Sequence, residues 1–262
     1  MLLLPKKIKL YASFGLQFAN WQFDYLRYLS NYKIIHCLGD SHTHLFQDIE
    51  RRRLMNKTII RSVKVGGATA AGIANINSVT KSLRIFQRYI RFIKKKSYIL
   101  FMLGEVDCGY LIWHRAKKHN TSVESQLQRS IENYQNFIIH LIDEGYHNLI
   151  LSSAPLPAIL DEKDWGDLDR SSKDITPTYL QRQNTQPIIR ERTDLTIEYN
   201  NRLRIFCNEN AISFLDFEQD TLNQQTNLID NCYRQANPSD NHLETDMVLP
   251  IIVKKMRSLG FE

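Results

Sequence analysis

Residues 98–103, Tyr98-Ile99-Leu100-Phe101-Met102-Leu103, form an unbroken apolar run that ends at Gly104. A strand with one wet face would alternate. A run without polar interruption has to be covered on both sides, as a central strand of a parallel sheet is. Other short β-branched or apolar runs occupy residues 33–38, 58–65, 148–155 and 211–217. Between them the period changes to that of a helix. Leu83, Phe86, Ile90 and Ile93 predict a helix from Ser78. Val123, Leu127, Ile131, Tyr134, Ile138 and Leu141 predict another, between a capping box Thr121-x-x-Glu124 and a stop at Gly145. Helices are also expected over 194–209 and 245–259. Strand and helix therefore alternate five times, which implies an α/β fold in three layers: a parallel sheet of about five strands with helices on both faces.

No Pro/Gly/Ser-rich linker divides the 262 residues, and a chain of this length can bury a core without disulfide staples. One domain over 33–262 is expected. An aromatic-rich lead-in over 1–32 (Phe14, Phe18, Trp21, Phe23, Tyr25) would pack on it, and an irregular polar insertion covers about 156–192. Cys37, Cys108, Cys207 and Cys232 are widely spaced with no C-x-x-C pair, which favours reduced, mostly buried thiols. The first residues lack the order of a secretory signal, and no apolar stretch is long enough to span a bilayer, so a cytoplasmic location is expected.

A net charge of +6 excludes little. Arg51-Arg52-Arg53 and Lys94-Lys95-Lys96 lie near predicted helix ends without interleaved aromatics, so they read as solvated faces and no nucleic-acid partner is expected. A peripheral membrane or anionic glycan contact is the partner such a charge admits.

The chemistry gathers at the strand ends. Gly39-Asp40-Ser41 follows the first strand and precedes a predicted helix, so Ser41 would sit on a strand-to-helix turn where amides face any developing negative charge. Gly66-Gly67 follows the second strand, and Gly104-Glu105-Val106-Asp107 the third. In parallel sheets ligands bind beyond these carboxyl ends. Among eight histidines, His242 lies in a turn-rich loop, Asn237-Pro238-Ser239-Asp240-Asn241-His242, with a carboxylate two residues away. His42 and His44 at i, i+2 beside Asp40 raise the thought of a metal, but no third ligand is evident nearby. Glu105 and Asp107 read either as an acid/base pair sharing one side of an extended segment or as supports for the next turn. Walker, G-x-G-x-x-G and G-x-S-x-G patterns are absent.

With these blocks in this order, the chain from about residue 33 onward resembles the SGNH hydrolases, also called GDSL-type esterases, a family with a flavodoxin-like sheet. Gly39-Asp40-Ser41 matches the first block, Gly67 (or Gly66 or Gly72) the glycine block, Gly104-x-x-Asp107 the third, and Asp240-x-His242 the last. The resemblance implies Ser41 as nucleophile, His242 as base and Asp240 as its orienting carboxylate. It places the backbone amides of Ser41 and Gly67 at the oxyanion, with Asp40, Gly104, Glu105 and Asp107 in support. Two positions depart from the pattern. Val106 stands where the family commonly carries an oxyanion Asn, a substitution for which Asn75 or Asn77 are the nearby candidates. Ser239 stands where the orienting Asp is usual. The implied substrate is an acylated carbohydrate or other small ester, with no cofactor or metal. A sugar hydroxyl in place of water would make the protein an O-acetyltransferase using acetyl-CoA or another acyl donor, and loss of the oxyanion Asn would suit a catalytically degenerate glycan- or protein-binding domain.

Overall fold

The structure is a computed structural model and is described over residues 32–159 and 187–262. The 1–32 lead-in, apart from Tyr32, and most of the 156–192 insertion lie outside these residues. Five parallel strands form the sheet: β1 (Lys33–Gly39), β2 (Thr58–Lys64), β3 (Tyr98–Met102), β4 (Leu149–Ser152) and β5 (Ser213–Leu215), in the order β2-β1-β3-β4-β5. The unbroken apolar run 98–103 supplies β3, seated between β1 and β4.

Its side chains alternate between two cores. Ile99 and Phe101 face one layer, where α2 (Ser82–Ile90), α4 (Val123–Asp143) and α5 (Ile189–Glu209) pack. Leu100 and Met102 face the other, covered by α1 (His44–Arg51) and α7 (Thr245–Ser258). Both faces are therefore dry, as the absence of alternation requires. A short helix α3 (Ile112–Lys118) precedes α4, α6 (Glu218–Thr221) follows β5, and β6 (Leu222–Asn223) pairs antiparallel with β7 (Leu228–Ile229). Among the described residues no helix is long and apolar enough to cross a membrane.

Several boundaries differ from expectation for local reasons. The helix expected from Ser78 begins at Ser82, because successive turns through residue 81 end in a left-handed Lys81 at φ 54°. The cap of α4 is Ser122, whose hydroxyl accepts from Ser125 N–H, while Thr121 Oγ1 accepts from Gln126 Nε2 and so does not cap. Helix α5 starts five residues before the expected Asp194, so the end of the supposed irregular insertion is helical. A π turn over Asp107–Leu111 and helix α3 occupy a stretch for which no element was expected. Cys37, Cys108 and Cys207 are buried free thiols, and Cys232 is exposed.

Crossovers leave β1 and β3 in opposite directions, so the seam between their carboxyl ends is the topological switch point of the sheet. The residues after those strands are Asp40 to Thr43 and Gly104 to Asp107.

Candidate active site

Strand β1 delivers Ser41 through a close passage. A Cβ on Gly39 would overlap the Met102 carbonyl oxygen and lie 2.6 Å from Thr43 Oγ1, so only glycine lets β1 leave the sheet here. Asp40 N–H then donates to that same carbonyl at 3.3 Å. Asp40 also caps the single 3-10 turn Ser41–Thr43, its Oδ1 accepting from His42 N–H at 2.8 Å. Ser41 is left half-buried at the mouth of the seam.

The glycine loop is held from the opposite side of the seam. Asp107 accepts from Ala70 N–H at 2.7 Å, Ala71 N–H at 2.9 Å and Ser130 Oγ at 2.8 Å, and Asn133 Nδ2 donates to Ala71 O. Burial pushes the Asp107 carboxyl up to about 6, against the pull of these hydrogen bonds. Of the three glycine candidates, Gly67 has a left-handed backbone (φ 68°), Gly72 sits in a turn capped by Thr69 Oγ1, and Gly66 has open space around it. Among the described residues neither Gly67 N–H nor Ser41 N–H donates to a protein acceptor. Replacing Asp107 by Asn turns one acceptor into a donor facing an N–H. A stability loss of about 2–3 kcal/mol in a denaturant titration is expected, and an unchanged midpoint would refute the anchoring role.

Glu105 and Asp107 do not share a side. The chain after Gly104 turns into a helix, so the two carboxylates diverge: Asp107 toward the glycine loop, Glu105 toward His42 at 3.9 Å. This corrects the acid/base-pair reading, which assumed an extended segment. Gly104 is itself obligatory, with φ at 129° and a Cβ position that falls on the Tyr199 ring. Val106 packs against Tyr110 and Ile159, an apolar wall where an oxyanion Asn would stand. Asn75, one of its candidate substitutes, is exposed and uses Oδ1 to accept from Asn77 N–H, as a turn-former does.

The last loop brings in His242. Its Nδ1 lies 2.6 Å from Asp240 Oδ1, which also accepts the His242 N–H at 2.9 Å. The two-residue spacing is sufficient because the carboxylate folds back on its own loop. With Nδ1–H committed, Nε2 is the unprotonated nitrogen. The ring lies against His42 and His44, with centroids 4.9 and 5.2 Å apart, and is about 30% exposed. Among the described residues no hydrogen bond joins Ser41 Oγ to His242 Nε2, a looseness common in sites without substrate.

Sequence reasoning missed what holds this loop. Asn241 accepts from His42 Nε2 through its carbonyl at 3.1 Å, and donates from Nδ2 to Glu105 Oε2 at 3.2 Å. His42, fully buried, also places Nδ1 3.3 Å from Asp40 Oδ1. Both ring nitrogens thus face acceptors, one carbonyl and one carboxylate, which is the pattern of an imidazolium. Burial alone would lower the His42 pKa; the Asp40 hydrogen bond, the Glu105 and Asp40 charges and the Asn241 carbonyl outweigh it and hold the ring at about 9. Burial pushes Glu105 up to about 7, with His42 and Asn241 pulling it back.

This cation bears on His242, the expected base. Burial and the neighbouring His42 charge lower the His242 pKa, while Asp240 opposes them. An imidazole held below its ordinary value favours the unprotonated form at neutral pH. His42→Gln removes the charge and keeps one donor for Asn241, so His242 should titrate at higher pH and the acidic limb of the rate profile should move up. NMR titration of the His242 ring checks the same quantity without turnover, and an unmoved His242 would sink the coupling.

No family model matches the chain, and no curated protein sequence matches it. Solved structures do. A GDSL-like lipase from Bacteroides thetaiotaomicron superposes with a TM-score of 0.53 at 14% identity, over 87% of this chain and 88% of the other. The chain has the SGNH-hydrolase fold. The same fold relates it to a carbohydrate acetylesterase from Sinorhizobium meliloti (TM-score 0.53, 9% identity, 87% of this chain and 99% of that one). An acetyl xylan esterase aligns with a TM-score of 0.50 at 17% identity, over 86% of this chain and 98% of the other. In the SGNH-hydrolase fold described here, the switch-point seam is where the Ser41 turn, the Gly67 loop and the Asp240–His242 loop meet.

Proposed function

We propose that the protein is a serine esterase that hydrolyses an O-acyl ester, with an O-acetyl group on a carbohydrate as the favoured substrate. The observation that carries this reading is the Asp240–His242 pair, joined at 2.6 Å and half-open to solvent beside the Ser41 turn. His242 Nε2 takes the Ser41 Oγ proton as Oγ attacks the ester carbonyl. The oxyanion faces Ser41 N–H and Gly67 N–H. As the carbonyl re-forms, His242 returns the proton to the departing alcohol. A water then repeats the sequence on the acyl-serine and frees the acid. The sugar preference draws on the names of the acetyl xylan esterase and the carbohydrate acetylesterase that share the fold.

The apolar wall at Val106 favours a second reading, a domain that keeps the fold and binds an acylated glycan without turning it over. Loss of one oxyanion donor costs on the order of 10²–10³ in turnover, so the esterase reading predicts a slow enzyme and the binding reading none. Intact-mass analysis after a fluorophosphonate probe separates them. One adduct on the wild type and none on Ser41→Ala supports the esterase; a folded wild type that takes no adduct supports the binding domain. Acyl transfer from acetyl-CoA or an activated ester to a sugar, faster than hydrolysis, would reassign the same serine chemistry to an O-acetyltransferase.

A further inference from the structure

Between Glu50 and Glu105 the chain has no acidic residue and thirteen of its 34 Lys and Arg, which leaves 21 cations against 28 acids elsewhere. Folding sorts these cations into two groups. Three of the four before β2 are answered by carboxylates: Arg51 by Asp48, Arg52 by Asp246 and Lys57 by Glu262. On α2 the outcome differs. Lys81, Arg84, Arg88 and Arg91 are all exposed, and among the described residues none of them pairs with a carboxylate. Arg84, Arg88 and Arg91, at spacings of four and three, lie along one stripe opposite the buried Leu83, Phe86 and Ile90, with Lys81 at its N-terminal end.

That stripe works against the helix it sits on. Arg84 and Arg88 repel at i, i+4, and Lys81 puts a cation at the positive end of the dipole. Large apolar side chains share the same surface. Ile85 and Phe92 fall within the stripe, Phe92 at 73% exposure, and Ile76 and Val79 project from the loop leading into α2, Val79 at 87%. Four of the seven exposed large hydrophobics of the described residues therefore lie in this one segment. Unpaired cations interspersed with aliphatic side chains and one phenyl ring are the composition of a surface that lies on an anionic bilayer. A base-stacking platform would need several rings, and a polysaccharide would have no use for Val79 and Ile76.

We infer that α2 and the loop before it form a docking face for an anionic lipid surface, with Arg84, Arg88 and Arg91 meeting the headgroups and Val79 and Phe92 entering the acyl boundary. The face adjoins the seam: the Thr80 methyl lies 3.6 Å from where a Gly67 side chain would begin. Binding here is independent of whether Ser41 is a nucleophile.

The test is co-sedimentation of the whole chain with vesicles of phosphatidylcholine alone and of phosphatidylcholine mixed with phosphatidylglycerol, over a salt series. Binding only to the mixed vesicles, weakened by salt, is expected. The triple variant Arg84→Glu/Arg88→Glu/Arg91→Glu should lose on the order of 100-fold in partitioning. Val79→Ser/Phe92→Ser should lose roughly tenfold or more with the salt dependence unchanged. All these positions are exposed, and circular dichroism with a thermal melt checks that each variant is folded. Equal binding to both vesicle types, or none to either, overturns the inference. Retention on heparin that Val79→Ser/Phe92→Ser leaves intact, with no vesicle binding, would assign the face to a polyanion in place of a bilayer.

Discussion

Ser41→Ala should lower turnover by at least about 10³-fold and leave the melting temperature where it is. The size follows from two opposing facts. A complete nucleophile and base act as a unit worth on the order of 10⁶ in turnover. The apolar wall at Val106 removes a donor worth roughly 10²–10³ of that, leaving a range of about 10³–10⁴ for the serine to lose. Stability should not follow, because the Ser41 hydroxyl makes no hydrogen bond among the described residues, while its carbonyl, which His44 Nδ1 engages at 3.0 Å, is untouched by the substitution. His242→Ala should cost about as much as Ser41→Ala, and the double variant no more than either alone, since a base without its nucleophile has nothing to deprotonate. Losses that multiply in the double variant would mean that the two residues act separately, and the proposed mechanism would fall.

Gly39→Ala should be strongly destabilising. Its backbone is ordinary, so strain in φ is not the reason. The added methyl would overlap the Met102 carbonyl oxygen, a backbone atom that also accepts the Asp40 N–H and so cannot retreat. Overpacking of this kind costs about 3 kcal/mol, or roughly 6–12 °C in melting temperature for a domain of this size. Gly66→Ala is the matched control, because nothing lies within 4 Å of its would-be methyl. Equal melting temperatures for the two variants would show that the β1–β3 seam is softer than its packing indicates.

The sheet was legible because its strands are short β-branched or apolar runs whose burial leaves no polar alternation to misread. The helix ends were not, since they turn on single side chains: Ser122 caps in place of Thr121 because its hydroxyl reaches Ser125 N–H. Cys108 to Lys118 defeated periodicity, as a π turn interrupts the helical count before α3 begins. At the site, Ser41, Asp240 and His242 stand out locally because their types and neighbours suggest the chemistry. Asn241 has no local signature. Its importance arises only when three loops meet and its carbonyl and amide find His42 and Glu105, residues 199 and 136 positions away. His42, read as half of a weak metal pair, owes its charge to the same meeting.

Among the described residues the sheet also ends twice, at β2 and at β5. A free strand edge invites a second copy to extend the sheet, and that is how α/β proteins come to aggregate when concentrated. Here β5 has three residues, too few to template a ladder, and β2 carries Arg61 and Lys64 with Lys57 just before it. Two β2 edges brought side by side would set like charges against each other. The protein should therefore remain dispersed at high concentration, and an acidic strand is the kind of segment that this edge would accept.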